Sequence, residues 1–179
     1  MKKEGITKQN HLIYCIENYI IRTQSMYDRL LRLVDKVFEL YNPSHMISHE
    51  LITSNSHLLH SPILNKLKTL RKLIKKYYYD DRNRIIHEQQ FLEDDIRALE
   101  IMTLLTSEDF FKGQQHLIKK AERQVVKNKT VEFSKFNHDV FVILGDIFNL
   151  LKEKYEYKRE ILEAIYGKSE LAEIPKIEK

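Results

Sequence analysis

The scarcity of helix-breaking residues constrains this sequence more than any other feature. Only 4 glycines and 3 prolines occur in 179 residues, so the frequent turn signals of a β-sandwich or barrel are missing. Apolar side chains instead recur at steps of three or four residues, which is the period of an amphipathic α-helix. We therefore predict an all-α fold, an antiparallel bundle of about five helices.

Two prolines mark the limits of the first predicted helices. A helix over about residues 7–41 ends where Pro43 pushes the residue before it out of the α region. The polar segment that follows is interpreted as a loop with one short helix, at about 47–53. Ser61 and Pro62 then suit the N-cap and the first position of a second long helix.

Capping residues mark the remaining helix starts. Either Asp80 or Asp81 can cap a new helix, so we predict a break after the preceding tyrosines. Gly167 is placed to stop the last helix. The helices predicted from these signals cover about residues 82–105, 107–127 and 131–166. The inward-facing positions predicted for them include Met102, Leu117, Tyr157, Ile161 and Ile165.

Charge and cysteine content limit the class of protein. With 42% hydrophobic and 31% charged residues, the chain is neither a membrane protein nor a disordered one. The net charge of +4 permits a polyanionic partner without requiring one. The single cysteine, Cys15, excludes an intrachain disulfide, so we expect a cytoplasmic location. We predict one domain over residues 1–179, with its core at about 7–166 and a frayed tail at 169–179.

The chemically suggestive feature is the hexad RNRIIH over residues 82–87. Asn83 and His87 are spaced to share a helical face. At a helix start, unpaired backbone N–H groups and the positive end of the helix dipole suit a phosphate. Arginine offers phosphate a planar fork of donors, and histidine moves protons near neutral pH. These groups suffice for RNA cleavage without a metal or other cofactor, with His87 transferring a proton and Arg82 stabilising the transition state.

The pattern Arg82-Asn83-x-x-x-His87, between a basic and an amphipathic helix, resembles the motif of HEPN domains. The resemblance covers roughly residues 7–166. Members of that superfamily are helical bundles, and many are metal-independent endoribonucleases of toxin–antitoxin, CRISPR-associated and abortive-infection systems. The resemblance implies Arg82 and His87 as the catalytic pair and Asn83 as a polar supporter.

The same resemblance sets the expected partners. It implies a homodimer in which two copies of the motif form one composite cleft. We expect a prokaryotic toxin–antitoxin or antiphage defence ribonuclease with an RNA substrate and no membrane association. A cognate antitoxin or inhibitor protein is a further candidate partner.

A basic helical face leads into the hexad. Lysines can bind backbone phosphates, and the tyrosines at 77–79 can stack on bases, as in an RNA-binding groove. A solvated face is the alternative interpretation. The candidate RNA-binding residues are Lys72, Lys75, Lys76, Tyr79 and Arg84.

Two weaker interpretations remain open. The histidines His45, His49, His57 and His60 lie close together in the sequence. A zinc site needs three or four converging ligands and no cysteine pair is present, so a polar loop is favoured and no metal is predicted. The alternative to the enzyme is a non-catalytic helical module that binds a protein or nucleic acid, with Arg82 and His87 on a solvated helix start.

Overall fold

The computed structural model describes residues 8–87, 94–107, 113 and 115–167, without the side chains of residues 8, 9, 79–84, 86, 87, 100 and 104–107. Within these ranges the chain forms five α-helices, one short 3-10 helix and no β-strand. The helices are α1 (Lys8–Val37), α2 (His49–Thr53), α3 (Ile63–His87), α4 (Asp94–Ser107) and α5 (Gln115–Tyr166). The predicted all-α class is confirmed. None of the helices in the described ranges combines the length and the apolar character needed to cross a membrane.

Contacts divide the chain into two compact units. The first unit comprises Met1–Tyr27 and Arg71–Phe141, and the second comprises Asp28–Leu70 and Val142–Lys179. Each unit therefore takes one part of α1, one part of α3 and one part of α5, while α4 belongs to the first. The hexad lies in the first unit. That the whole chain is one domain with a frayed tail stays a prediction.

Several helix ends form as the capping signals predict. The Ser61 hydroxyl accepts a hydrogen bond from the Ile63 N–H at 3.4 Å at the start of α3. At α2, Ser48 is a cap that was not predicted: its hydroxyl accepts from the Leu51 N–H at 3.1 Å, and the helix begins at His49 rather than near residue 47. Gly167 follows α5 with a φ of 79°, a left-handed conformation that glycine adopts without a Cβ penalty.

The first helix ends earlier than predicted, at Val37 rather than near Tyr41. Glu39 and Tyr41 have φ values of 53° and 55°, which a continuing right-handed helix does not allow. The buried carboxylate of Asp35 accepts a hydrogen bond at 2.8 Å from the Asn42 side-chain amide. The chain therefore leaves the helix before the residue that precedes Pro43.

Two predicted breaks are wrong, because α3 continues through Asp80 and Asp81 and α5 continues through residues 128–130. Asp is only a moderately poor helix former, and neither segment contains glycine or proline. In α5, Lys129 pairs with Glu132 at 2.7 Å across the predicted break. Packing of an amphipathic face outweighs such weak local signals. The hexad consequently forms the last residues of α3 instead of starting a helix.

The core of the first unit joins parts of four helices. Tyr27 on α1 lies 5.5 Å below the Arg71 guanidinium on α3, and Tyr19 meets Tyr78 with ring centroids 5.8 Å apart. Since α1 runs back from 27 to 19 as α3 advances from 71 to 78, the two helices are antiparallel in this unit. Its buried hydrophobic residues are Ile13, Ile16, Ile20, Tyr27, Ile74, Tyr78, Ile96, Leu99, Val125, Phe136 and Val140.

The second unit has its own aliphatic core. Its members come from α1, the segment with α2, the start of α3 and the later part of α5. Two ion pairs at its surface join Lys66 to Asp146 at 2.6 Å and Lys158 to Glu39 at 2.7 Å, and such exposed pairs contribute little to stability. The buried side chains are Leu30, Leu31, Val34, Ile52, Leu58, Ile63, Leu64, Leu67, Leu70, Leu144, Ile147 and Leu151.

The apolar periodicity identifies the buried faces of α1 and α3 correctly but overextends those of the later helices. In the later helices, the side chains predicted to face inward that are in fact exposed are Met102, Leu117, Tyr157, Ile161 and Ile165. Tyr41, the last apolar position of the predicted first helix, lies beyond the end of α1 and is exposed as well. Among the described residues of α5, burial stops at Leu151. The apolar pattern of α5 therefore continues beyond the last buried residue of that helix.

An aromatic cluster in the first unit holds the later part of α3 against α1 and α5. It consists of Tyr19, Tyr77, Tyr78, Phe133 and Phe136. The rings of Tyr19 and Phe133 stack with centroids 4.0 Å apart. Tyr78 meets Phe136 edge-on at 4.7 Å. Edge-on and stacked pairs add to the free energy gained by burying the ring area.

The two central hydroxyls of this cluster differ in their partners. The Tyr19 hydroxyl donates a hydrogen bond to Asn137 Oδ1 at 2.7 Å. The Tyr78 hydroxyl is buried and has no hydrogen-bond partner in the described part of the chain. Burial, and then the charges that Tyr19 and Glu132 can carry, raise the pKa of Tyr78 far above its ordinary value. Tyr78 is thus a neutral core residue at physiological pH.

The continuity of α3 predicts the effect of proline at position 80. Asp80→Pro removes a backbone hydrogen bond in the helix interior and should lower the free energy of unfolding by about 3 kcal/mol or more. Asp80→Ala keeps the helix and should leave stability unchanged or slightly raised. Urea denaturation of the two variants measures the difference. Equal stability of both variants would show that the helix breaks at this position.

The unequal hydroxyls predict opposite effects of two Tyr-to-Phe substitutions. Tyr78→Phe removes an unsatisfied buried hydroxyl and should be neutral or stabilising, by up to about 1 kcal/mol. Tyr19→Phe, the matched control, breaks the hydrogen bond to Asn137 and should destabilise by about 1 kcal/mol. Both values come from urea denaturation at neutral pH. Destabilisation by Tyr78→Phe alone would mean that its hydroxyl is satisfied.

Candidate active site

The hexad occupies the last six residues of α3, which runs from Ile63 to His87. The backbone N–H groups of the hexad therefore lie in the helix interior, far from the helix start. The predicted phosphate site on unpaired N–H groups at a helix start is wrong for this reason. Any anion held at the hexad has to be bound by side chains. The side chains of Arg82, Asn83, Arg84 and His87 lie outside the described residues.

The backbone register of α3 brings four polar positions to one side of the helix. Each residue advances the helix by about 100°, so positions 72, 76, 83 and 87 fall within about 60° of one another. These positions hold Lys72, Lys76, Asn83 and His87, which we call the α3 polar strip. Two of the predicted RNA-binding lysines thus share a side of the helix with two residues of the hexad.

The α3 polar strip lies on the side of the helix away from the core. The opposite side carries Leu67, Ile74 and Tyr78, all buried. Lys72 and Lys76, the two described members of the strip, are exposed. The Lys76 ammonium lies 5.6 Å from the centroid of the Tyr77 ring. This cation–π contact restricts the conformations of the Lys76 side chain.

Arg82 does not belong to this strip. Position 82 is five residues from His87, which separates the two backbone positions by about 140° around the helix. Position 82 instead follows Tyr78 by one helical turn, toward the side of α3 that carries the aromatic cluster. The spacing of the two predicted catalytic residues therefore does not by itself place them on one helical face.

The tyrosines before the hexad are not all available for RNA. Tyr78 is buried in the aromatic cluster, and Tyr77 is half-buried with its ring 5.2 Å from that of Phe136. The prediction that this run stacks on bases is therefore wrong for Tyr78 and not supported for Tyr77. The side chain of Tyr79 lies outside the described residues, as does that of Arg84, so their RNA-binding roles stay predictions. Lys75 is exposed but already has an interaction within the chain.

The histidine-rich segment does not assemble a metal-binding cluster in the described part of the chain, where no three His, Cys, Asp or Glu side chains converge on one point. His45, His57 and His60 are exposed, and His49 begins α2. Cys15 is exposed and its sulfur lies 3.7 Å from a ring nitrogen of His11.

A second basic surface lies on the first turns of α5 and was not predicted. An open depression of about 330 Å³ there is lined by His116, Lys119, Lys120, Arg123, Gln124 and Lys127. We call these six residues the α5 basic stripe. Their spacing of three and four residues is visible in the sequence, and it is the signal that could have identified them.

Comparison with known proteins assigns the family. No curated protein and no solved structure matches the chain. The family model described as HEPN_Cthe2314-like HEPN matches residues 1–157, which include all of α1 to α4, the hexad and most of α5. The match also agrees with the all-α fold. The chain therefore belongs to the HEPN superfamily.

Proposed function

We propose that this protein is a metal-independent endoribonuclease of the HEPN type. The observation that carries the proposal is the α3 polar strip, because it aligns Asn83 and His87 of the hexad with two exposed lysines on one side of a helix. A single-stranded RNA lying along this side would meet cations for its phosphates and an imidazole for proton transfer. Membership of the superfamily supports the same activity.

The proposed reaction uses the 2′-hydroxyl of RNA as the nucleophile. His87 removes the proton of this hydroxyl, and the oxygen attacks the adjacent phosphorus. The bond from phosphorus to the 5′-oxygen breaks, and the leaving oxygen takes a proton from a second, protonated imidazole, which yields a cyclic phosphate and a free 5′-hydroxyl. Arg82 stabilises the charge that develops on the phosphoryl oxygens, and Asn83 positions the phosphate or the imidazole.

A homodimer completes the proposed site. One hexad contributes one imidazole, whereas the reaction has one proton to remove and one to donate. In addition, the backbone positions of Arg82 and His87 lie about 140° apart around α3. A two-fold axis that passes between positions 82 and 87 would bring Arg82 of one protomer toward the His87 of the other, because in an isologous contact each of two residues meets the other residue of the partner.

The cellular role that we propose is a prokaryotic toxin–antitoxin or antiphage defence system in the cytoplasm. The support for it is the resemblance of the motif to those of HEPN ribonucleases. A ribonuclease of this kind would also cleave RNA of its own host, so its activity has to be restrained. A cognate antitoxin or inhibitor protein that covers the α3 polar strip would provide that restraint.

The proposed activity predicts cleavage of labelled single-stranded RNA in excess EDTA. Arg82→Ala and His87→Ala should each lower the rate by about 10²-fold or more, since each removes charge stabilisation or proton transfer in the transition state. His57→Ala, at an exposed histidine outside the hexad, is the matched control and should retain the wild-type rate. RNA that is bound but left intact by the wild type would favour the non-catalytic binding module instead.

The composite site predicts that two inactive variants complement each other. Arg82→Ala and His87→Ala proteins, mixed under conditions that exchange protomers, form heterodimers with one intact arginine and one intact histidine in the shared cleft. Such mixtures should recover part of the wild-type cleavage, because one Arg82 again faces one His87 although the second imidazole is missing, whereas each variant alone should stay at its lowered rate. A site that pairs Arg82 and His87 within one protomer gives no recovery at any mixing ratio, and that result would reject the pairing of Arg82 with the His87 of the other protomer while leaving the enzyme proposal intact.

A further inference from the structure

The α5 basic stripe presents its charge to solvent. All six of its residues are exposed, and the buried residue of the same segment, Val125, lies on the opposite side of α5. Three lysines and one arginine fall on one helical face over about three turns. The stripe belongs to the first unit, as does the hexad.

Three of the four cations of this stripe have no acidic neighbour one turn away along the helix, whereas Lys119 has Glu122 three residues on. The residues three and four positions before and after Lys120, Arg123 and Lys127 include no Asp or Glu. None of these three cations forms an ion pair within the described part of the chain. Arg123 lies one turn from both lysines, and like charges at that spacing destabilise a helix. A bound polyanion would remove this repulsion.

The lining of the depression favours RNA over an acidic protein as that polyanion. Protein interfaces need apolar or aromatic side chains at their centre, and none of the six lining residues is apolar. Interfaces with nucleic acids are more polar and much more positively charged. The two other lining residues, His116 and Gln124, are polar, and side chains of this kind also contact phosphate and sugar groups in nucleic-acid complexes.

We propose that the α5 basic stripe is a second RNA-binding surface, which holds the backbone of the substrate strand without reading its sequence. This inference rests on the proposed ribonuclease function and extends it, because it assigns strand binding to residues outside the hexad and outside the α3 polar strip. Lys120, Arg123 and Lys127 each contact a phosphate.

The test measures binding of a fluorescent single-stranded RNA to full-length protein carrying His87→Ala, so that the probe stays intact. In this background, the triple variant Lys120→Gln, Arg123→Gln, Lys127→Gln is compared with the matched triple variant Arg29→Gln, Arg32→Gln, Lys36→Gln. The control removes the same charge from three exposed positions on α1. Glutamine has nearly the helix propensity of lysine and arginine, so both variants should fold, which circular dichroism checks.

We expect the α5 variant to bind RNA at least tenfold more weakly at about 0.1 M salt. The slope of log Kd against log salt should fall by about 2, because each of the three lost phosphate contacts contributes roughly 0.7 to that slope. The control should bind within about twofold of its parent. Equal losses in both variants, or an unchanged slope in the α5 variant, overturn the proposal. Cleavage by the protein with wild-type His87 is measured separately, so absence of cleavage rejects the ribonuclease and not the surface.

Discussion

The burial of Tyr78 between α1 and α5 is the contact on which the candidate site depends. Its ring meets Tyr19, Phe133 and Phe136, and this packing fixes the rotation of α3 about its own axis. Because the helix runs on without a break to His87, the same rotation sets the sides on which positions 82, 83 and 87 lie. The absence of the predicted break at Asp80 and Asp81 therefore changes more than the boundary of a helix. It replaces a helix start that would bind anions through its backbone with positions inside a continuous helix, where anion binding depends on side chains.

Burial on α1 and α3 could be predicted from the sequence because helical periodicity records which side chains leave water. Ile16, Leu30 and Val34 on α1 follow this period and are buried. The breaks could not be predicted reliably, since a capping residue contributes about 1 kcal/mol and tertiary packing of a long face outweighs it. The tyrosine run illustrates a further limit. Three consecutive helical residues span about 200°, so Tyr77, Tyr78 and Tyr79 cannot all face one side, and the core takes Tyr78.

The candidate site was predictable in its residue types but not in its assembly. The spacing of Asn83 and His87 places both on one side of any helix, whichever end they occupy. The spacing of Arg82 and His87 places their backbone positions about 140° apart around the helix. The sequence of one chain does not tell which residues of a second protomer face them. The α5 basic stripe escaped prediction for another reason. A net charge of +4 sums 30 basic and 26 acidic residues and hides how they are distributed over the faces of a helix.

That distribution gives the two kinds of lysine different physical roles. In the second unit, Lys66 and Lys158 pair with carboxylates at 2.6 and 2.7 Å, so little of their field extends into solvent. Lys120 and Lys127 have no acidic residue one turn away, so their fields add along α5 and attract a polyanion from a distance. The same closely spaced cations repel one another and so lower the stability of α5. On a surface that binds no ligand, nothing offsets this loss. The arrangement is understandable if the first unit, which carries the hexad, also has to capture and hold a negatively charged strand.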